Sequence, residues 1–468
     1  MRTMIKIRGD LSMRKKEKMV FAYLVGVVFI LSFHYFMDIR EYPCDAGSYW
    51  SECSAYYGLE KFNLLNYKSA LRGYLFPLLM YAIQKLDFVG IGSNIAIFRL
   101  AASLLYSFLF ILLIPKLIEL MFKIVVPVRS RLIYLIICMI MLRGLILYPL
   151  TDLPGILLVC FSIYLFVTLM QDKIKEKRAQ IFCTVCMGIC LGGAYYIRPI
   201  YLIVWIVLGG IILISAVKKG RRILLLSIVG MLIIMMPQIC INQKNFGTYS
   251  PMIQTQFESG GTSLYLAQLK AGIRVQKYET SMDDSAEDIP MAMVFEDSTG
   301  ASLLQGAGKI YSYPRYVIFC ISHFADMACI YLKHIFNGMD IVYPNAYIQK
   351  VYCNRFIVQF FNYTMIFVGV NGLLFFIKKK CWDGLTIGMT VTYCFPTLLV
   401  IPTAVEPRFF VGVHLVLYLF AALALAEKEW WHRIWQCKWK QAGAYLLFLG
   451  ICFVLNSQTF NCYGIPLW

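Results

Sequence analysis

Arg72-Gly-Tyr-Leu-Phe-Pro-Leu-Leu-Met-Tyr-Ala-Ile-Gln-Lys-Leu86 is the stretch on which the threading of the whole chain turns. It is apolar enough to enter a bilayer, but it is short of the roughly 20 helical residues that cross about 30 Å of hydrocarbon. Pro77 interrupts it, Arg72 stands at one end, and Gln84, Lys85 and Asp87 crowd the other. If it crossed, the next helix would deliver Lys116, Lys123, Arg129 and Arg131 to the outside and invert every later basic loop, against the positive-inside rule. The segment is therefore predicted to lie in the interface as a juxtamembrane helix.

The surrounding sequence demands lipid. Of 468 residues 60% are apolar and 15% charged, with a mean hydropathy of +0.67, more apolar surface than a soluble core can bury. A net charge of +18 would point to nucleic acid in a soluble protein. Here the cations sit in clusters between apolar runs, so they set topology and no nucleic-acid partner is expected. The clusters are Arg2 to Lys18, Lys116 to Arg131, Lys173 to Arg178, Lys218 to Arg222, Lys378 to Lys380 and Lys428 to Lys440, all assigned to the cytoplasm.

The first apolar run, Phe21 to Phe36, is long, lacks a small-x-small cleavage site and runs into bulky residues, which fits an uncleaved signal-anchor. Spans are expected at about 19–37, 93–121, 131–149, 153–170, 180–197, 200–217, 222–241, 357–377, 384–402, 409–426 and 441–457, with the C-terminus outside. The expected fold class is an all-α polytopic membrane protein of about 11 transmembrane helices with extracytoplasmic juxtamembrane helices. A basic N-terminus (1–18) precedes an N-terminal transmembrane module (19–241) with its first outer loop at 38–92. A large extracytoplasmic segment (242–356) and the C-terminal helices (357–468) follow. Within that large segment, Tyr316 to Phe336 is apolar but interrupted by His323, Asp326, Lys333 and His334, the pattern of an amphipathic helix on the membrane.

Most of the sixteen cysteines fall inside apolar helices, where they act as small hydrophobes. Cys183-x-x-Cys186 lacks a second pair or a nearby His, so it does not read as a metal site. Cys44 and Cys53 share an outer loop, and their spacing leaves a disulfide open.

On this topology four polar signatures, far apart in sequence, emerge on one face. They are Asp45 in Tyr42-Pro-Cys-Asp-Ala-Gly-Ser-Tyr49, Asp152 in Pro149-Leu-Thr-Asp-Leu-Pro154, Arg198 in Tyr195-Tyr-Ile-Arg-Pro199, and Glu406 with Arg408 in Val405-Glu-Pro-Arg-Phe-Phe410. Each has a plainer reading: Asp152 as a helix cap, the arginines as snorkelling side chains, Asp45 as a loop carboxylate. Against these, Arg72, Arg99, Arg143, Arg198 and Arg408 all fall near the outer leaflet, where cations are depleted. Guanidinium forks suit phosphate, and an acid or base beside them suits transfer from a phosphate leaving group.

The order of these signatures resembles the GT-C superfamily of polyprenyl-phosphate-dependent glycosyltransferases, in particular the protein O-mannosyltransferase and aminoarabinose-transferase branch, over nearly the whole length. The likeness rests on Asp45-x-x-x-Tyr49, Arg72 to Pro77, Asp152-x-Pro154, Arg198-Pro199, Asn242-x-x-x-Phe246-Gly247 and Arg408-Phe409. It departs in two places: the first loop carries Asp45 where some members pair two acids, and Leu75-Phe-Pro77 stands for the His-Pro-Pro of the mannosyltransferases.

The resemblance implies an inverting transfer of sugar from a polyprenyl-phosphate donor to an acceptor glycan, lipid or protein, in a bacterial cytoplasmic membrane with the site extracytoplasmic. It implies Asp45 as the catalytic carboxylate, acting as base or positioning the acceptor, with Asp152 assisting. Arg198 and Arg408 would hold the donor phosphate with Glu406 orienting Arg408, and Tyr49, Arg72 and Arg143 would shape the acceptor cavity. The donor's lipid tail would lie in a groove between helices. Some members use a divalent cation; Asp45 and Asp152 offer two oxygen ligands, and metal use stays open. Rival classes are a surface-polysaccharide polymerase or ligase, which would concentrate its chemistry in one late loop, and a lipid flippase or transporter, which would show paired halves and broken helices near the midplane.

Overall fold

The computed structural model describes the chain apart from residues 1, 52, 54–56, 58–60, 87–93, 219, 256–262, 284–290, 307–309, 352–354, 378–381 and 465–468, and apart from the side chains of 2–15 and 463–464. The basic cluster at 378–380 and part of the acidic stretch 281–288 lie outside the described residues.

Long apolar runs become helices because a helix satisfies every backbone group within itself. Membrane-length helices among the described residues are α1 (Arg2–Met37, apolar from Lys16), α4 (Asn94–Phe122), α7 (Asp152–Met170), α8 (Lys177–Ile197), α9 (Leu202–Lys218, led in by a turn at Pro199–Tyr201), α10 (Ser227–Phe246, led in from Arg222), α15 (Arg355–Phe376), α17 (Val411–Ala426, led in by Pro407–Phe410) and, after the short α18 (Lys428–Gln436), α19 (Lys438–Phe460). These nine make the chain a multi-pass integral membrane protein. Two expected spans are shorter. Gly384–Val400 (α16) has 17 residues, and 131–149 divides at Leu142 into α5 (Val128–Met141) and α6 (Arg143–Leu147).

Near one end of the bundle lie the short α2 (Cys44–Trp50) and α3 (Leu75–Leu86). Arg72, just before α3, binds Asp45 of α2 at 2.8 Å, while Gln84 near its far end donates to the Trp50 carbonyl at 2.7 Å. Both ends of α3 are therefore tied to one seven-residue helix, and at 12 residues α3 is too short to cross a bilayer. Arg99 near the start of α4 reaches Asp38 and the Ile39 carbonyl at 3.0 and 2.9 Å, which puts the start of α4 beside the end of α1. The opposite end is fixed by Arg221 on Asp172, Arg131 on Glu119 and Thr386 on the Met121 carbonyl. The basic clusters around 116–131, 173–178, 218–222 and 428–440 gather there.

Between α10 and α15 the chain forms α11 (Leu264–Arg274), β1 (Val275–Thr280), β2 (Ala292–Glu296), α12 (Ser298–Gly306), α13 (Tyr313–Ser322) and α14 (Phe324–Met339). β1 and β2 are antiparallel, with Thr280 opposite Ala292, and Tyr463–Gly464 (β3) adds an edge strand. The apolar stretch 316–336 is not one amphipathic helix: it bends by 103° at His323, which is not helical. Cys44 and Cys53 are both free thiols, so the open disulfide is absent; Cys53 instead contacts Gln84 at 3.1 Å.

α8 and α10 press together through small residues, the main way helices approach closely in lipid. A Cβ on Gly188 would lie 1.9 Å from the Ser227 carbonyl oxygen, and one on Gly230 would lie 2.0 Å from that of Val185. Backbone cannot yield as a side-chain tip does. Gly188→Val is expected to lower thermal stability in detergent by about 1–3 kcal/mol through overpacking. Gly209→Ala, with open space around it, is expected to leave the melting temperature unchanged or raise it.

Candidate functional site

Asp45 is placed by a strained turn. Cys44, immediately before it, holds φ at +49°, a region that non-glycine residues occupy at a cost of about 1–3 kcal/mol and that recurs at functional sites. The carboxylate then takes one guanidinium on each oxygen: Arg72 on Oδ1 at 2.8 Å and Arg408 on Oδ2 at 2.9 Å. Arg408 also pairs with Glu406, whose side chain is 9% exposed. The proline of Glu406-Pro-Arg408 opens the turn leading into α17, which carries both side chains to the mouth of the bundle. Burial pushes the Asp45 carboxyl up, but Arg408 and Arg72 outweigh it and hold it below its ordinary value. It is an anion at neutral pH.

Asp152 and Arg198 form a second pair. Asp152 does not cap its helix: it is the first residue of α7, Thr151 occupies the capping position, and no side-chain cap bond forms. The carboxylate, 2% exposed, turns to Arg198 instead. That arginine is extended at the break between α8 and the turn before α9, where Pro199 ends the helical run. Phe409 lies between the two pairs, with Arg198 and Arg408 at 5.2 and 5.7 Å from its ring centre. Six of the eight expected residues thus come together with balanced charge: Arg72, Arg198 and Arg408 against Asp45, Asp152 and Glu406.

Tyr49 joins them, its ring 4.6 Å under the Arg72 guanidinium. Arg143 meets none of these acids among the described residues; its Nε donates to Asn345 at 2.9 Å.

Among the described residues, Arg408 Nη1 and Arg198 Nε and Nη2 have no acceptor. Both arginines line one cavity between helices, with Ile156, Tyr201, Tyr393 and Val400. Tyr393 also lines a second cavity, apolar in its surface, between Leu117, Ile163, Leu373 and Trp382. Two guanidiniums therefore line one cavity, and Tyr393 stands between it and an apolar one. No three His, Cys, Asp or Glu side chains converge among the described residues. Asp45 spends both oxygens on arginine and Asp152 its Oδ1, so a cation at Asp45 would have to displace guanidinium.

Sequence reading missed a buried cluster beside this site. Lys277 of β1, with its side chain 0% exposed, contacts Glu279 at 3.0 Å and Asp340 at 3.5 Å. Tyr278 lies between them in sequence; burial, and then Glu406 beside it, push its phenol far up. Val275-Gln-Lys-Tyr-Glu-Thr280 has the polarity of a solvent-facing strand, so nothing in it announces burial.

No family model, curated protein or solved structure matches this chain.

Removing one partner of a buried pair leaves the other charge stranded. Arg198→Ala is expected to cost about 3–5 kcal/mol of stability in a detergent melt. The double variant Asp152→Asn, Arg198→Gln is expected to recover part of that loss, a coupling that a double-mutant cycle measures.

Proposed function

We propose that the protein is a membrane glycosyltransferase of the GT-C type, moving a sugar from a polyprenyl-phosphate donor to an extracytoplasmic glycan, lipid or protein acceptor. One observation carries this reading: Arg198 and Arg408, with donors unspent, line a cavity that borders, at Tyr393, on an apolar one. An amphiphile with an anionic head and a long hydrocarbon tail matches that sequence of surfaces. The orientation follows from charge, since the basic clusters gather at the end opposite Asp45 and cytoplasmic loops are the basic ones.

On this reading Arg198 and Arg408 bind the donor phosphate and stabilise the charge that grows on it as the glycosidic bond breaks. Asp152 fixes Arg198, and Glu406 fixes Arg408. Asp45 holds Arg72 and Arg408 in register. With two guanidiniums on it, it has little affinity for a proton, which suits positioning better than base catalysis. Tyr49 and Arg72 shape the acceptor side.

Mass spectrometry of envelope glycans and glycolipids from cells with and without the protein is expected to show one glycosyl modification lost. Asp45→Asn is expected to abolish that modification while the protein remains in the membrane; full activity in this variant would refute its role. Cysteines placed at Glu41 and Glu176 are expected to react with an impermeant reagent from outside and from inside respectively. The reverse pattern would invert the topology and remove the extracytoplasmic site.

A further inference from the structure

Arg408 separates two cavities. On one side lies the inter-helical path it lines with Arg198. On the other lies a pocket of about 470 Å³ of empty space, walled by Glu279, Glu406, Leu142, Tyr343 and Asn345. The wall at Asn345 is rigid: Gly144 donates to the Pro344 carbonyl at 3.0 Å, and a Cβ on Gly144 would lie 2.0 Å from the Ala346 nitrogen. If donor phosphate occupies the first cavity, the sugar's reacting carbon sits at Arg408 and the second pocket is the opposite approach to it. An inverting displacement needs its nucleophile on the side away from the leaving group.

Of the two acids that line this pocket and the two near it, Glu279 has the fewest partners. Asp340 receives Tyr363 at 2.7 Å, Asn456 at 2.6 Å and Lys277, and Asp45 and Glu406 are held by arginine. Among the described residues Glu279, 8% exposed, has a single polar partner, Lys277, whose ammonium meets its Oε1 at 3.0 Å. Charge tells the same story. The arginine cluster is balanced three against three, whereas Lys277 faces two carboxylates and leaves one negative charge over. A buried carboxylate in that position is completed by a proton or by a hydrogen-bond donor brought by a ligand.

Resting on the glycosyltransferase reading, we propose that the pocket on the Glu279 side of Arg408 receives the acceptor, and that Glu279 takes the proton from its attacking hydroxyl or amine. The acceptor's oxygen or nitrogen forms the new bond to the anomeric carbon. The bond from that carbon to the phosphate oxygen breaks, with its electron pair leaving on phosphate, and the acceptor's proton passes to the Glu279 carboxylate. Burial pushes the Glu279 carboxyl up, only partly offset by Lys277, which gives it more proton affinity than Asp45. The charged and titratable groups around it are Lys277 and Tyr278 on its own strand, Asp340 after α14, Tyr343 on the following loop, and Glu406 and Arg408 before α17. Activity should therefore rise as Glu279 ionises, with an acid limb above the ordinary carboxylate range.

The test is complementation of cells lacking the protein with wild type, Glu279→Gln and Glu279→Asp, read by glycan mass spectrometry. Transfer is then followed against pH in membranes carrying the native donor and acceptor. Glu279→Gln is expected to lose activity by about 100-fold or more, to bind undecaprenyl phosphate in detergent as wild type does, and to lack the acid limb. Glu279→Asp is expected to restore part of the activity with the limb displaced. Full complementation by Glu279→Gln, or an unchanged pH profile in Glu279→Asp, would overturn the assignment and leave the glycosyltransferase reading standing. Should the Gln variant fail to accumulate, the pH profile of the Asp variant decides alone. If wild type restores no glycan and binds no undecaprenyl phosphate, the underlying reading fails, and this assignment falls with it.

Discussion

The rest of the site depends on one carboxylate shared by two arginines. Asp45 joins Arg72 on one oxygen and Arg408 on the other, and so ties together residues from the first loop, the approach to α3 and the start of α17. Cations at the mouth of a bilayer-embedded bundle are costly unless paired. Pairing them with one anion fixes three backbone segments at once. Asp152 performs the same service for Arg198, and Phe409 fills the space between the two pairs.

That economy of charge shapes what the site offers a ligand. Because each guanidinium is already held by a carboxylate, none is free to wander, and the donors left over on Arg198 and Arg408 stand over the same cavity. An anionic head group would meet preorganised donors, whose reorganisation cost is met when the protein folds. An apolar cavity borders on this one at Tyr393, so polar and apolar surfaces are neighbours there. The opposite pocket has the contrary character, with an acid in surplus.

Much of the helical layout was legible in the sequence, because hydropathy, length and the basic clusters obey separate physical constraints that agreed. The eleven expected spans all correspond to helices, two of them shorter than expected, and α3 is too short to be a twelfth. The division at Leu142, the bend at His323 and the small sheet were not legible, since each depends on what a segment packs against. Grammar misled at Asp152, where a residue that looks like a cap spends its oxygens on an arginine of another helix. Lys277 and Glu279 were invisible for the same reason: a strand reads as exposed until something covers it.

By itself the sequence determined that this protein crosses a membrane many times and that Asp45, Asp152, Arg198, Glu406 and Arg408 belong near one face, because the cost of burying charge in lipid acts on local composition. Only the tertiary structure decided which carboxylate meets which guanidinium, that Arg143 turns to Asn345, and that Glu279 is buried against Lys277. Those outcomes rest on contacts between residues tens to hundreds of positions apart, and pairing across such distances is set by packing, which no local pattern encodes.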